Sequence, residues 1–309
     1  MITDKETAII ADAYPPAVKH PDTVRSMMAD VLIALFPAAV WGVYSFGLRA
    51  VSIMLVSVVT AVISEIAFEY IAKRRFSVGN LSSVVTGLLL SYLMPVSVPL
   101  YVPAIGAAFA VVIVKCAFGG LGANILNPAL SGYVFVKLCF PGQMKVAGDL
   151  LETLKAGSLP EFTYYDALVG NIPGGIGEVS ALLLIAGGVY LIVRGVIDWR
   201  IPVAIIGCVA AISVILPNDV NNLSFMVYEV LSGALILAAI YMATDPVTTP
   251  VTWPGRLIFG LICGILTVLI RYFGTEAEGV AYAILAANLL SGVIDRLLSF
   301  GKVRTSDEA

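Results

Sequence analysis

Apolar runs long enough to cross a bilayer recur nine times along this chain, at 30 to 47, 50 to 70, 80 to 97, 100 to 118, 178 to 197, 201 to 217, 224 to 243, 256 to 273 and 278 to 298. Each approaches the roughly 20 residues that a helix needs to traverse about 30 Å of hydrocarbon. Lipid admits only structures that satisfy their backbone groups internally, and runs of this length do so as helices. The composition agrees: 59% of the 309 residues are hydrophobic and 13% charged, about half the charged share of a soluble domain. An all-α, multi-pass membrane protein is the fold class expected. No basic patch points to nucleic acid, and the lipid bilayer is the partner that the composition requires.

A tenth segment, 128 to 140, is short but starts from Asn127-Pro128 and stays apolar, as a tilted or broken helix inside a protein would. Orientation decides whether it spans. With ten spans and the N-terminus inside, thirteen of the 18 basic residues fall on the inner side, Lys73, Arg74, Arg75, Arg194, Arg200 and Arg256 among them. With nine, the later loops change sides and the bias weakens. The expected organisation is a cytoplasmic N-terminal segment 1–29, a first five-helix repeat 30–140, an extracytoplasmic loop 141–177, a second five-helix repeat 178–300 and a cytoplasmic tail 301–309. Both termini then face the cytoplasm of a cell (inner) membrane. The first 29 residues lack the apolar core and cleavage site of a signal peptide, so the first helix is expected to insert the chain.

Pairs of short motifs lie five spans apart. Ala129-Leu130-Ser131-Gly132 matches Leu289-Leu290-Ser291-Gly292, Thr86-Gly87 through Met94-Pro95 matches Ser232-Gly233 through Asp245-Pro246, and Lys115 before Phe118-Gly119 matches Arg271 before Phe273-Gly274. Five is odd, so these pairs describe a 5+5 inverted repeat, an arrangement that places a site at the repeat interface.

Several residues are candidates for chemistry. The Gly-rich stretch from Phe118 to Tyr133 carries Asn124 and Asn127, which either present amides to a heterocycle or cap the following helix. Asp245, followed by Pro246, is either a helix-end acid or a cofactor or ion contact. Glu65, Glu69 and Lys73 recur every four residues on one helical face, which reads as an ion pair of Glu69 with Lys73 and leaves Glu65 as an ion-path candidate. Glu229 is a similar case. His20, the single histidine, reads as a surface residue, and the four widely spaced cysteines read as packing residues with no metal-ligand spacing.

Four ordered motifs, Phe118-Gly119-Gly120-Leu121-Gly122-Ala123-Asn124 through Asn127-Pro128-Ala129, Gly170 through Glu178, Met242-Ala243-Thr244-Asp245-Pro246-Val247-Thr248, and Glu278-Gly279-Val280-Ala281-Tyr282-Ala283, resemble the RnfD subunit of Rnf complexes and the related NqrB subunit of sodium-pumping quinone reductases. The resemblance runs from about Pro15 to Arg296 and favours RnfD, because the long N-terminal extension of NqrB is missing. It implies a subunit of a redox-driven Na+ or H+ pump, assembled with subunits A, B, C, E and G, that relays electrons between a ferredoxin-like donor and NAD or another acceptor. It also implies a non-covalent riboflavin near Asn124, Asn127 and Asp245, and an FMN joined through its phosphate to an outer threonine. At that threonine's position the chain has Asp149, within Val146-Ala147-Gly148-Asp149, and a carboxylate cannot form the phosphoester. Thr153 and Thr163 lie nearby without the motif. The alternative to the redox reading is a small-solute channel or carrier on the same scaffold, and a third reading is a scaffold subunit that keeps only assembly contacts.

Overall fold

The computed structural model describes residues 23–74, 77–146, 150–178, 180–216, 222–274 and 278–306, the last eight by their backbone alone. His20 and Asp149 lie outside the described residues. Among those described there are only helices and turns, with no strand. Apolar helical segments match the ten sequence runs one for one. They are α1 (Val24–Phe46), α2 (Leu48–Ile71), α3 (Ser82–Tyr92), α4 (Tyr101–Cys116), α5 (Pro128–Cys139), α8 (Ala181–Val193), α9 (Arg200–Ile215), the pair α10 (Asn222–Leu231) and α11 (Leu235–Met242), α12 (Trp253–Phe273) and α13 (Val280–Ser306). Two short helices, α6 (Leu150–Lys155) and α7 (Tyr164–Val169), lie in the loop after α5.

Four of these helices have the length and apolarity to cross a membrane alone, and the α10–α11 pair makes a fifth, bent by 60°. The others are shorter, and local sequence sets where the helices begin, end and break. α1 begins at Val24, ahead of its apolar run, because Thr23 accepts the Ser26 N–H as an N-cap. α3 ends at Tyr92, and the Pro95 to Pro99 stretch that follows cannot continue a helix. Between α10 and α11 the break falls at Gly233, whose φ of +63° is the left-handed conformation that glycine adopts without strain.

The surface is apolar and the interior carries charge, the reverse of a soluble domain. Phe36, Leu48, Leu55, Val193 and Ile215 are exposed, while Glu65, Lys115, Glu229 and Arg271 are buried. Exposed apolar faces on this scale belong against lipid. Small residues let the helices approach closely: a Cβ on Gly132 would lie 2.6 Å from the Gly106 carbonyl, and one on Gly264 the same distance from the Cβ of Cys208. Cys116 and Cys263 are buried, Cys208 is half-buried and Cys139 is exposed.

The segment after α5 is a folded cap. Leu150, Leu151 and Leu154 of α6 and Ala167 of α7 bury a small apolar core against Phe225 and Tyr228 of α10. Its far end is laced onto the broken end of α3, the N–H groups of Ile176 and Gly177 donating to the carbonyls of Met94 and Tyr92. Tyr92 in turn donates from its hydroxyl to the Leu35 carbonyl of α1 at 2.8 Å.

Candidate functional site

The N-terminal ends of α3 and α5 and the C-terminal end of α11 meet around one cavity of about 810 Å³, its open mouth included. Its walls are largely apolar, with Met28, Val31, Val85, Leu89 and Leu121 among them, and its polar residues include Ser82, Thr86, Lys115, Asn124, Asn127 and Asp245. The three residues read from the sequence as a heterocycle site are therefore brought together, although 121 residues separate Asn124 from Asp245. Nothing in the spacing of the sequence placed Lys115 with them. Among the described residues no cluster of three or more metal-ligating side chains occurs.

Asn127 is committed to the protein. Its Oδ1 accepts the Leu130 N–H and caps α5, its Nδ2 donates to the Met242 carbonyl at 3.0 Å, and its own N–H donates to Asn288 Oδ1 at 3.1 Å. The capping reading is thus correct for Asn127, and the residue also ties α5 to α11 and α13. Asn124 makes one long bond, from Nδ2 to the Leu126 carbonyl at 3.3 Å, and its side chain lies beside the Asp245 carboxyl. Asp245 is half-buried, and its Oδ1 accepts the Val247 N–H. A buried amide and a half-buried carboxylate with capacity to spare, set against an apolar slot, fit a flat heteroaromatic ring with polar edges.

Glu65 does not line this cavity. It is buried and paired with Lys115 at 2.6 Å, and Ser77 joins it to Glu69. The expected pair of Glu69 with Lys73 does not form, because α2 ends at Ile71 and Lys73 has a φ of +52°, which carries it off the helical face. Glu69 instead accepts from the N–H and hydroxyl of Ser77. Glu229 pairs with Arg271 at 3.0 Å, both buried, so each deep carboxylate has a basic partner five spans from the other's.

A second cavity, about 1150 Å³ measured the same way, lies at the opposite ends of α3 and α5. Leu93, Pro95, Tyr133 and Lys137 line it with Lys145, Glu152, Glu178 and Glu278. Glu278 accepts the Ala234 N–H at 3.1 Å and so caps the second half of the broken α10–α11 pair, where backbone donors would otherwise be orphaned. Tyr133 donates to the same carboxylate. Val146 and Leu151, which flank Asp149 in the sequence, both belong to this lining. Thr163 is occupied elsewhere, as the N-cap of α7 in a reciprocal capping box with Asp166.

Comparison with known proteins settles the family. The model of the NQR2, RnfD, RnfE family matches residues 12–302. The chain belongs to the NQR2, RnfD, RnfE family. It is 33% identical to the D subunit of the Na+-translocating ferredoxin:NAD+ oxidoreductase complex of Acetobacterium woodii, over 95% of this chain and 96% of that one. It is 36% identical to the D subunit of the proton-translocating ferredoxin:NAD+ oxidoreductase complex of Clostridium ljungdahlii, covering 91% and 92%. Similarity to the B subunit of the Na+-translocating NADH-quinone reductase of Chromohalobacter salexigens is 32% and covers 84% of this chain but 68% of the relative.

Proposed function

We propose that this chain is the D subunit of an Rnf-type ion-translocating ferredoxin:NAD+ oxidoreductase, a membrane component of a redox-driven pump that is not catalytic alone. Family membership over nearly the whole chain carries that reading. Its relatives are named for sodium in one case and protons in another at similar identity, so the transported ion does not follow from similarity.

The first cavity is read as the seat of a non-covalent riboflavin-type flavin, carried by the convergence of Asn124, Asp245 and Lys115 at the polar edge of an apolar slot. The flavin would supply one- or two-electron relay chemistry. The protein's part is to exclude water with its apolar walls, to orient the ring's polar edge with Asn124 and Asp245, and to hold those walls in place through Asn127. FMN attached through a threonine is not expected here, since Asp149 stands at the aligned position and Thr163 is spent as a cap. The channel or carrier reading would leave the purified subunit colourless. Flavin measured before and after acid precipitation of the purified complex counts the non-covalent and covalent forms together; its absence from this subunit would reject the flavin reading.

The orientation follows from the basic residues: both termini cytoplasmic, the first cavity inner and the second outer, in the cell membrane with subunits A, B, C, E and G as partners. The inverted repeat is supported by matched contacts. Tyr92 donates to the Leu35 carbonyl of α1 as Tyr241 donates to the Leu184 carbonyl of α8, and Lys115 reaches the start of α3 as Arg271 reaches α10. Single cysteines at Ser158 and Ser306 of a cysteine-free variant should label from opposite sides; labelling from one side would reject this topology.

A further inference from the structure

A full positive charge in the wall of the first cavity is the least expected part of its lining. Lys115 is 2% exposed and sits in the π-helical turn that ends α4. A buried ammonium is tolerated only when it is paired and fully hydrogen-bonded. Its three protons are all placed, on Glu65 Oε1 at 2.6 Å, Ser82 Oγ at 2.6 Å and Ser83 Oγ at 2.9 Å. Lys115 and Ser82 line the cavity, whereas Glu65 and Ser83 do not. Of the ion pair, the lysine is the partner that belongs to the cavity lining, and the glutamate does not.

The surroundings keep that arrangement. Glu65 is 1% exposed, accepts from Ser77, and has a second oxygen, Oε2, without a partner. Glu69 is joined to Glu65 through Ser77, and Arg74 donates to the Cys116 carbonyl. Asp245 lies in the cavity lining as well, with Asn124 beside it.

We propose that Lys115 sets the charge preference of the first cavity, favouring the more negative, reduced form of the ring bound there, and that Glu65 limits that preference by opposing the lysine. The role is electrostatic positioning, and it rests on the flavin reading of this cavity. In a site shielded from water, removing the opposing carboxylate strengthens the field at the ring, and removing the lysine reverses it.

The test uses the purified complex carrying wild-type subunit, Glu65→Gln, Lys115→Met or both, with flavin content and midpoint potential measured for each. Glu65→Gln should be easier to reduce and Lys115→Met harder, the oxidised-to-reduced ratio at a fixed potential moving roughly tenfold in opposite directions. The double variant, which removes one charge of each sign, should return close to wild type. Opposite signs are an outcome that a packing role does not produce. Either single variant alone carries the sign if the other fails to assemble. Unchanged potentials at wild-type flavin content, or shifts of the same sign, would overturn the proposal. A wild-type subunit without flavin would overturn the flavin reading, and this proposal with it.

Discussion

The two cavities share the helices α3 and α5 and lie at their opposite ends, yet they are built for different kinds of occupant. The first has apolar walls around a few polar groups, and its cation is locked inside a buried network. The second is a polar basin with Glu152, Glu178 and Glu278 facing Lys137 and Lys145, roofed by the folded cap after α5. An apolar slot holds a flat ring by burial and edge contacts alone. A wet, charged basin offers much less to a ring, and retention there depends on an anchor. The family resemblance sets Asp149 where a hydroxyl anchor is expected, and on that reading the difference between the cavities predicts one flavin that is held and one that is not.

The largest effect that would break this contrast is a covalent flavin on the second side. Denatured protein viewed under ultraviolet light should be dark, because Asp149 cannot form the phosphoester and the Thr163 hydroxyl is engaged with Asp166. Converting Val146 to Asp149 into Thr-Gly-Ala-Thr should restore a fluorescent band in a host that attaches FMN. A fluorescent wild-type band, with its flavin peptide mapping to Thr153 or Thr163, would show that the basin has another anchor.

Within the first cavity the two asparagines separate sharply. Asn127→Leu removes a helix cap and leaves the Met242 carbonyl without its partner, while the backbone N–H on Asn288 is kept, at a cost of about 2–3 kcal/mol. Asn124→Leu loses one long hydrogen bond and its polar contact with Asp245, and should lower the melting temperature less than Asn127→Leu while extractable flavin falls several-fold. Equal thermal losses in the two variants would erase the distinction between scaffold and ligand contact.

Much of this arrangement was legible in the sequence. Ten apolar segments could be counted because hydrophobic length is a local property, but the run 224 to 243 read as one continuous span and its break at Gly233 was not seen. Asn124, Asn127 and Asp245 were found together through motif resemblance, since no spacing rule joins positions 121 residues apart. Lys115 was noticed only as half of a repeat match. Its place in the cavity wall depends on the π-helical turn that ends α4, and a π turn leaves no signature in composition or periodicity. Glu69 and Lys73 misled the reading because i, i+4 spacing assumes a helix that continues, and α2 stops between them. The folded cap was read as a polar loop, for its apolar residues, Leu150, Leu151, Leu154 and Ala167, are too few to stand out before their partners on α10 are known.

A substitution confined to the second side sharpens the comparison further. A Cβ on Gly177 would lie 2.0 Å from Cγ of Tyr92, whose ring is fully buried and whose hydroxyl is fixed on Leu35. Gly177→Ala should cost about 2–3 kcal/mol and loosen the strap that bears Ile172, Pro173 and Glu178. Increased proteolysis within 141–177, with flavin retained in the first cavity, is the expected result. Loss of the flavin instead would show that the two cavities are mechanically one site.

The smallest effect concerns the loop between α8 and α9, which supplies Val196 and Ile197 to the lining of the first cavity. Asp198 holds it, accepting from the Arg200 N–H at 2.9 Å and from the guanidinium groups of Arg256 at 2.7 Å and Arg200 at 3.0 Å. Partial burial pushes the Asp198 carboxyl up, but these hydrogen bonds outweigh it and leave the group below the usual carboxylate range. A carboxylate whose folded-state value is depressed stabilises the protein above its unfolded value, near 3.9, and that stability is lost as pH falls through the folded-state value. Both arginines are about one-third exposed, so the contribution is about 1 kcal/mol. Asp198→Asn should therefore lower stability slightly at neutral pH and speed flavin release a few-fold. The difference from wild type should shrink as the medium is acidified below the usual carboxylate range. A difference that stays constant through that range would show that Asp198 acts through shape rather than charge, and that the inner loop is held by the packing of Val196 and Ile197 alone.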